Sequence, residues 1–146
     1  MIEELSSAFE DLMFLKRKVF RSLLAEEGVY PGQPGILFHL FHHPHTDQKG
    51  IAEALGITPA SATVMLRRME QAGLITRARD PHDRRRILVS LTPDGRIKVE
   101  RLKEKIGSFH RTMFSVLTPE EQEACTAIFR RIADHLSRTF GIHHKE

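Results

Sequence analysis

Three dipeptides cut this chain in the same way: Thr58-Pro59, Thr92-Pro93 and Thr118-Pro119. At a helix start, a threonine hydroxyl accepts from an orphan first-turn amide. A proline one residue later gives up no bond, because its amide has no helical partner. Each pair predicts a helix beginning there, and Glu121 completes a capping box with Thr118. Upstream of the first pair, residues 2–27 place Leu5, Phe9, Leu12, Met13, Val19, Phe20, Leu23 and Leu24 at three- and four-residue steps, stopped by Gly28. After a turn-rich stretch, residues 33–42 predict a second helix carrying Ile36, Leu37, Leu40 and Phe41, ending before Pro44. Thr46 or Asp47 caps a short third helix that runs through Leu55.

Between the first two Thr-Pro pairs the periodicity changes from helix to strand. Leu74–Arg79 and Arg86–Leu91 alternate Ile, Leu, Val and Thr, which puts Ile87, Val89 and Leu91 on one face of a hairpin. The residues Asp80-Pro81-His82-Asp83-Arg84-Arg85 form its loop. Beyond Thr92, Val99, Leu102, Ile106, Phe109, Met113 and Val116 make a heptad-like seam. The last helix carries Cys125, Ile128, Phe129, Ile132, Leu136 and Phe140. The expected fold is mostly α with one small β-hairpin.

From Gln48 to Leu91 the residues suit a helix-turn-helix followed by a wing. Ile51, Leu55, Ile57 and Met65 are apolar, Ala52 is small where two helices must cross closely, and Gly56 permits a left-handed turn. The second helix is expected to bury Ala62, Met65, Leu66 and Met69. It then leaves Ala60, Ser61, Thr63, Val64, Arg67 and Arg68 on its other faces, with Thr58 at its tip. Small hydroxyl residues at the tip and arginines one turn later suit a helix end entering a major groove.

Charge supports the same region. Seven arginines and three acids between Arg67 and Arg86 put +4 there, whereas the whole chain carries +3. Arg84, Arg85 and Arg86 are adjacent, so a hairpin cannot turn all three the same way. One is expected to pair with Asp80 or Asp83, and at least one to meet phosphate or the minor groove.

The sequence resembles the multiple-antibiotic-resistance regulator (MarR) family. The resemblance rests on Leu55-Gly56-Ile57-Thr58, on Met69-Glu70-Gln71-Ala72-Gly73-Leu74-Ile75-Thr76-Arg77, on the loop Asp80–Arg85 and on Leu91-Thr92-Pro93-Asp94-Gly95-Arg96. It implies a homodimeric transcription factor with the order α-α-α-α-β-β-α-α, sometimes with a small third strand. It also implies a recognition helix near residues 58–72, a wing arginine at Arg85 oriented by Asp83, and small-molecule control in many members. Many members carry a basic residue just after the position of Thr63. Val64 stands there in this chain, so base preference does not carry over.

The expected layout is an N-terminal dimerisation helix over 1–30, a winged helix-turn-helix domain over 31–92 and C-terminal dimerisation helices over 93–146. The terminal helices carry more apolar seam than the central block is expected to cover, and a second copy is the natural cover. The partners expected are double-stranded operator DNA, a second copy and a small effector. A candidate effector site joins Phe14, Arg17 and Arg21 of the first helix to Tyr30, Phe38, His39 and His42, an apolar wall with cations that suits an aromatic acid.

Other readings carry less. His39 and His43 are four apart on one helix, near His42 and His45, and leave a metal-responsive regulator open; the tail pair His143 and His144 reads as a disordered end. A winged-helix module for protein interaction is the other alternative, opposed by Arg67, Arg68 and the wing arginines. Cys125, the single cysteine, excludes an internal disulfide framework and is expected to pack in an apolar stripe. There is no Gly-rich phosphate loop, His-Glu-x-x-His or Gly-x-Ser-x-Gly, so neither catalysis nor a cofactor is expected. The acidic start Met1-Ile2-Glu3-Glu4 is unlike a signal peptide, and a cytoplasmic protein is expected.

Overall fold

The computed structural model describes residues 1–142; His143 and His144 lie outside the described residues. The elements are α1 (Ile2–Glu26), α2 (Gln33–His42), β1 (Thr46–Asp47), α3 (Gln48–Leu55), α4 (Pro59–Gln71), β2 (Ile75–Arg79), β3 (Ile87–Leu91), α5 (Pro93–Phe114) and α6 (Pro119–Phe140). Two compact units divide within α5, the first ending at Ile106 and the second beginning at Gly107. No helix among the described residues is long and apolar enough to cross a membrane.

The predicted caps are present. Thr58 Oγ1 accepts from the Ser61 amide at 3.1 Å, and Thr92 Oγ1 from the Gly95 amide at 3.0 Å. Thr118 and Glu121 exchange the two bonds of a capping box, at 3.3 and 2.8 Å. Of the two candidates for α3, Asp47 is the cap, accepting from the Gly50 amide at 2.7 Å. Thr46 instead donates to the His43 carbonyl and pairs in a sheet. That sheet has the order β1-β3-β2, all antiparallel, so the hairpin gains a short third strand.

In the first unit the core is built from Ile36, Leu37, Leu40, Ile51, Leu66, Met69, Ile75, Val89, Val99 and Leu102, all essentially inaccessible. It joins α2, α3, α4, the hairpin base and the start of α5. Three expectations need correction. Met65 is only half-buried, because it lines a cleft beside Gly32. Ile87 shares the face of Val89 but is exposed, because it lies toward the hairpin tip, beyond the core. Each strand is one residue shorter than read, with Leu74 still in the helix-ending turn after Gly73 (φ 74°).

The start of α5 lies against the turn before β2. Thr92 Oγ1 donates to the Gly73 carbonyl at 2.6 Å, and a Cβ on Gly95 would come within 2.1 Å of the Leu74 carbonyl oxygen. Only glycine fits there without a backbone shift. In the second unit, α6 leaves Ile128, Phe129, Ile132, Leu136 and Phe140 between 44% and 67% exposed. Cys125 is half-buried, not deep in a core.

Candidate nucleic-acid interface

The short helices α3 and α4 are joined through Gly56, whose φ of 63° takes the left-handed turn that the sequence reserved for glycine. Gln48 at the start of α3 donates through Nε2 to Thr63 Oγ1 at 2.9 Å, and Thr63 Oγ1 donates to the Pro59 carbonyl at 2.9 Å. The Thr63 hydroxyl therefore works inside the motif. Ala60, Ser61, Val64, Arg67 and Arg68 are exposed, with Thr58 Oγ1 and Ser61 Oγ 2.9 Å apart at the tip.

The far end of α4 is tied to the hairpin. Arg77 donates through Nε and Nη2 to Glu70 Oε2, at 3.0 and 2.6 Å, which holds the Glu70 carboxyl below its ordinary pKa. Helix α4 and strand β2 are thus joined by an ion pair as well as by the core.

In the wing, the Asp80 amide donates to the Arg86 carbonyl at 3.0 Å and the Arg86 amide to the Asp83 carbonyl at 2.9 Å. Asp83 Oδ1 accepts from the Arg85 amide at 3.0 Å and lies 3.5 Å from Arg85 Nε, while the Arg85 side chain stays 95% exposed. Arg84 is exposed and its carbonyl accepts from Arg79 Nη1 at 3.1 Å. Arg86 differs: its Nε donates to Asp47 Oδ2 at 2.9 Å and its Nη1 to Asp80 Oδ2 at 3.3 Å. Asp47, Gln48, Lys49, Pro59, Arg85, Arg86 and Ile87 line a notch of about 270 Å³, so the start of α4 and the wing adjoin.

A separate cleft of about 410 Å³ opens between α1, the turn before α2 and the helix-turn-helix. Arg17, Phe20, Arg21 and Leu24 come from α1, and Leu55, Ile57 and Met65 from the motif, with Pro31, Gly32, Pro34 and Gly35 between. Of the seven ligand residues read from the sequence, Arg17 and Arg21 line it. Phe14 is exposed, with Lys18 Nζ 5.5 Å from its ring centre. Tyr30 borders another hollow with Arg68, and Phe38 packs on the core. His39 stacks on His43 at 4.8 Å, and His42 meets Phe41 edge-on. His45 lies 2.9 Å from Ser90 Oγ. Among the described residues no three metal-ligating side chains converge.

The sequence offered Asp47 only as a helix cap and Gln48 only as the start of the motif, because Arg86 and Thr63, which they meet, lie 39 and 15 residues away. Sequence reasoning missed Leu55, Ile57 and Met65 as cleft residues, since apolar positions of the motif read as core.

The profile of the MarR family matches residues 29–87. The HTH-type transcriptional repressor MdtR of Bacillus subtilis is 34% identical over 110 residues, covering 75% of this chain and 71% of MdtR. The chain belongs to the MarR family. A mutant of S. aureus MepR superposes with a TM-score of 0.82 at 27% identity, covering 90% of this chain and 97% of that one. Another MepR mutant, bound to an oligodeoxyribonucleotide, gives 0.67 at 27% identity and the same coverage. This MarR-family chain is a DNA-binding transcriptional regulator and not an enzyme.

Proposed function

We propose that the protein is a homodimeric repressor acting in the cytoplasm on a pseudo-palindromic operator and released by a small aromatic or anionic ligand. The observation that carries the DNA reading is the notch in which Lys49, the start of α4 and Arg85 meet. Beside it, α4 would present Ser61, Val64, Arg67 and Arg68 to a major groove while Arg84 and Arg85 reach backbone or minor groove. Two further features support the assembly. The α1 stripe Leu5, Phe9 and Leu12 and the α6 stripe Phe129, Ile132 and Leu136 are each about half exposed in one chain, and such stripes call for a partner. A two-fold dimer would then read half-sites about one helical turn, roughly 10 bp, apart. MdtR, by its name a repressor, supports the direction of control.

The cleft supports the effector. Its volume of about 410 Å³ suits a small ligand, Arg17 and Arg21 offer charge, and Leu55, Ile57 and Met65 make any occupant touch the helix-turn-helix. A ligand there releases DNA only if it prefers the unbound arrangement, and operator must then weaken the ligand by the same factor. Calorimetry with a panel of aromatic carboxylates, on protein alone and on protein saturated with an operator recovered by in vitro selection, tests this. Weaker binding to the operator-bound form is expected, and equal affinity for both forms removes the release mechanism.

A further inference from the structure

We infer that Arg86 is a positioning residue, a brace between the wing and the start of α3 that presents Arg85, and does not itself contact DNA. The inference rests on the wing reading above.

The brace stands where the sheet stops. β1 pairs with β3 only through Thr46↔Val89 and Asp47↔Leu88, after which the chain turns into α3. Outward of Leu88 no strand among the described residues flanks the wing on that side, and the Arg86 side chain spans the gap to Asp47 at 2.9 Å. The same guanidinium holds Asp80, whose carboxyl is 9% exposed, at 3.3 Å. Turning Arg86 toward a phosphate would abandon both carboxylates, one of them nearly buried, and uncompensated charge of that kind is costly. Arg85, 95% exposed and 3.5 Å from Asp83, gives up little by moving.

Asp47 is built for two partners. Oδ1 accepts from the Gly50 amide at 2.7 Å while Oδ2 accepts from Arg86. A Cβ on residue 50 would lie 2.7 Å from Oδ1, so Gly50 leaves room for the carboxylate. The Gly50 amide and the Arg86 guanidinium hold Asp47 below the ordinary carboxylate range. One acid therefore caps α3 and anchors the wing.

A contact role and a bracing role predict opposite signs at Asp47. If Arg86 bound phosphate, removing the competing acid would free it and tighten DNA binding. If Arg86 braces the wing, removing the acid loosens it. The test uses full-length Arg86→Ala, Asp47→Asn and the double variant, with labelled operator duplex followed by anisotropy across salt and circular dichroism to check folding. Asparagine keeps the oxygen that caps Gly50. Each single variant is expected to weaken binding about tenfold, the double variant no further, and the salt slope to stay at the wild-type value. Tighter or unchanged binding by Asp47→Asn overturns the brace, as does an Arg86→Ala slope flatter by about one ion. Arg85→Ala is the control. If it weakens binding while Asp47→Asn does not, only the brace fails; if Arg85→Ala also binds normally, the wing reading fails.

Discussion

Arg84, Arg85 and Arg86 share one chemistry and occupy three environments. Their differences come from the acids around them, since Asp83 takes the backbone and loosely the side chain of Arg85, whereas Asp47 and Asp80 take Arg86. The exposed Arg85–Asp83 pair contributes little to stability, so there the arrangement matters for where the cation points. At this scale Arg85→Ala is expected to weaken operator binding by about 1–3 kcal/mol, if its exposed guanidinium makes a specific groove contact. Anisotropy titrations at several salt concentrations check it, and affinity equal to wild type throughout would remove Arg85 from the interface.

Elements in the first unit are joined by ion pairs laid over the apolar core. Lys105 of α5 donates to Glu26 at 2.9 Å and lies 3.0 Å from Glu27, just past the end of α1, while Lys98 donates to the Glu27 carbonyl at 2.6 Å. Lys103 adds a cation over the Phe41 ring of α2 at 3.7 Å. Lys105, mainly through its hydrogen bond, lowers the Glu27 pKa, and Glu26 and Glu27 raise that of Lys105. A lowered carboxylate stabilises the fold above its unfolded pKa, about 4.3 for glutamate, and loses that contribution as pH falls through the folded value. A raised lysine contributes below about 10.4 and loses its share as pH climbs through its folded value. The clamp is therefore complete from mildly acidic to mildly alkaline pH. Urea melts between neutral pH and pH 3 should show stability declining on the acid side. Glu27→Gln should start lower and decline less steeply. An acid limb identical to wild type would show that Glu27 is not part of it.

For the whole molecule, the exposed stripe of α6 is the feature one chain does not resolve. Phe129 and Ile132 are 48% and 50% exposed on a helix with no buried residue, which suits a face covered by a second copy. Phe129→Glu should lower the mass measured by light scattering at micromolar concentration from twice 16.7 kDa toward one chain. Operator affinity should fall with it, because a monomer holds one half-site. A wild-type protein already monomeric at that concentration would end the dimer reading.

What could be read locally was read from the sequence. The Thr-Pro pairs set three helix starts, Gly56 set the turn of the motif, and the alternation of β2 and β3 set the hairpin, because caps, left-handed turns and strand faces depend on residues a few positions apart. Tertiary structure decided the rest. Thr46 became a strand only because Val89 lay beside it, and Asp47 joined the wing only because Arg86, 39 residues later, folded back to it. The cleft took Arg17 and Arg21 but drew its other wall from Leu55, Ile57 and Met65, which read in the sequence as apolar core positions of the motif. Hydrophobic periodicity says that a side chain leaves water; which neighbour it meets depends on how distant segments pack.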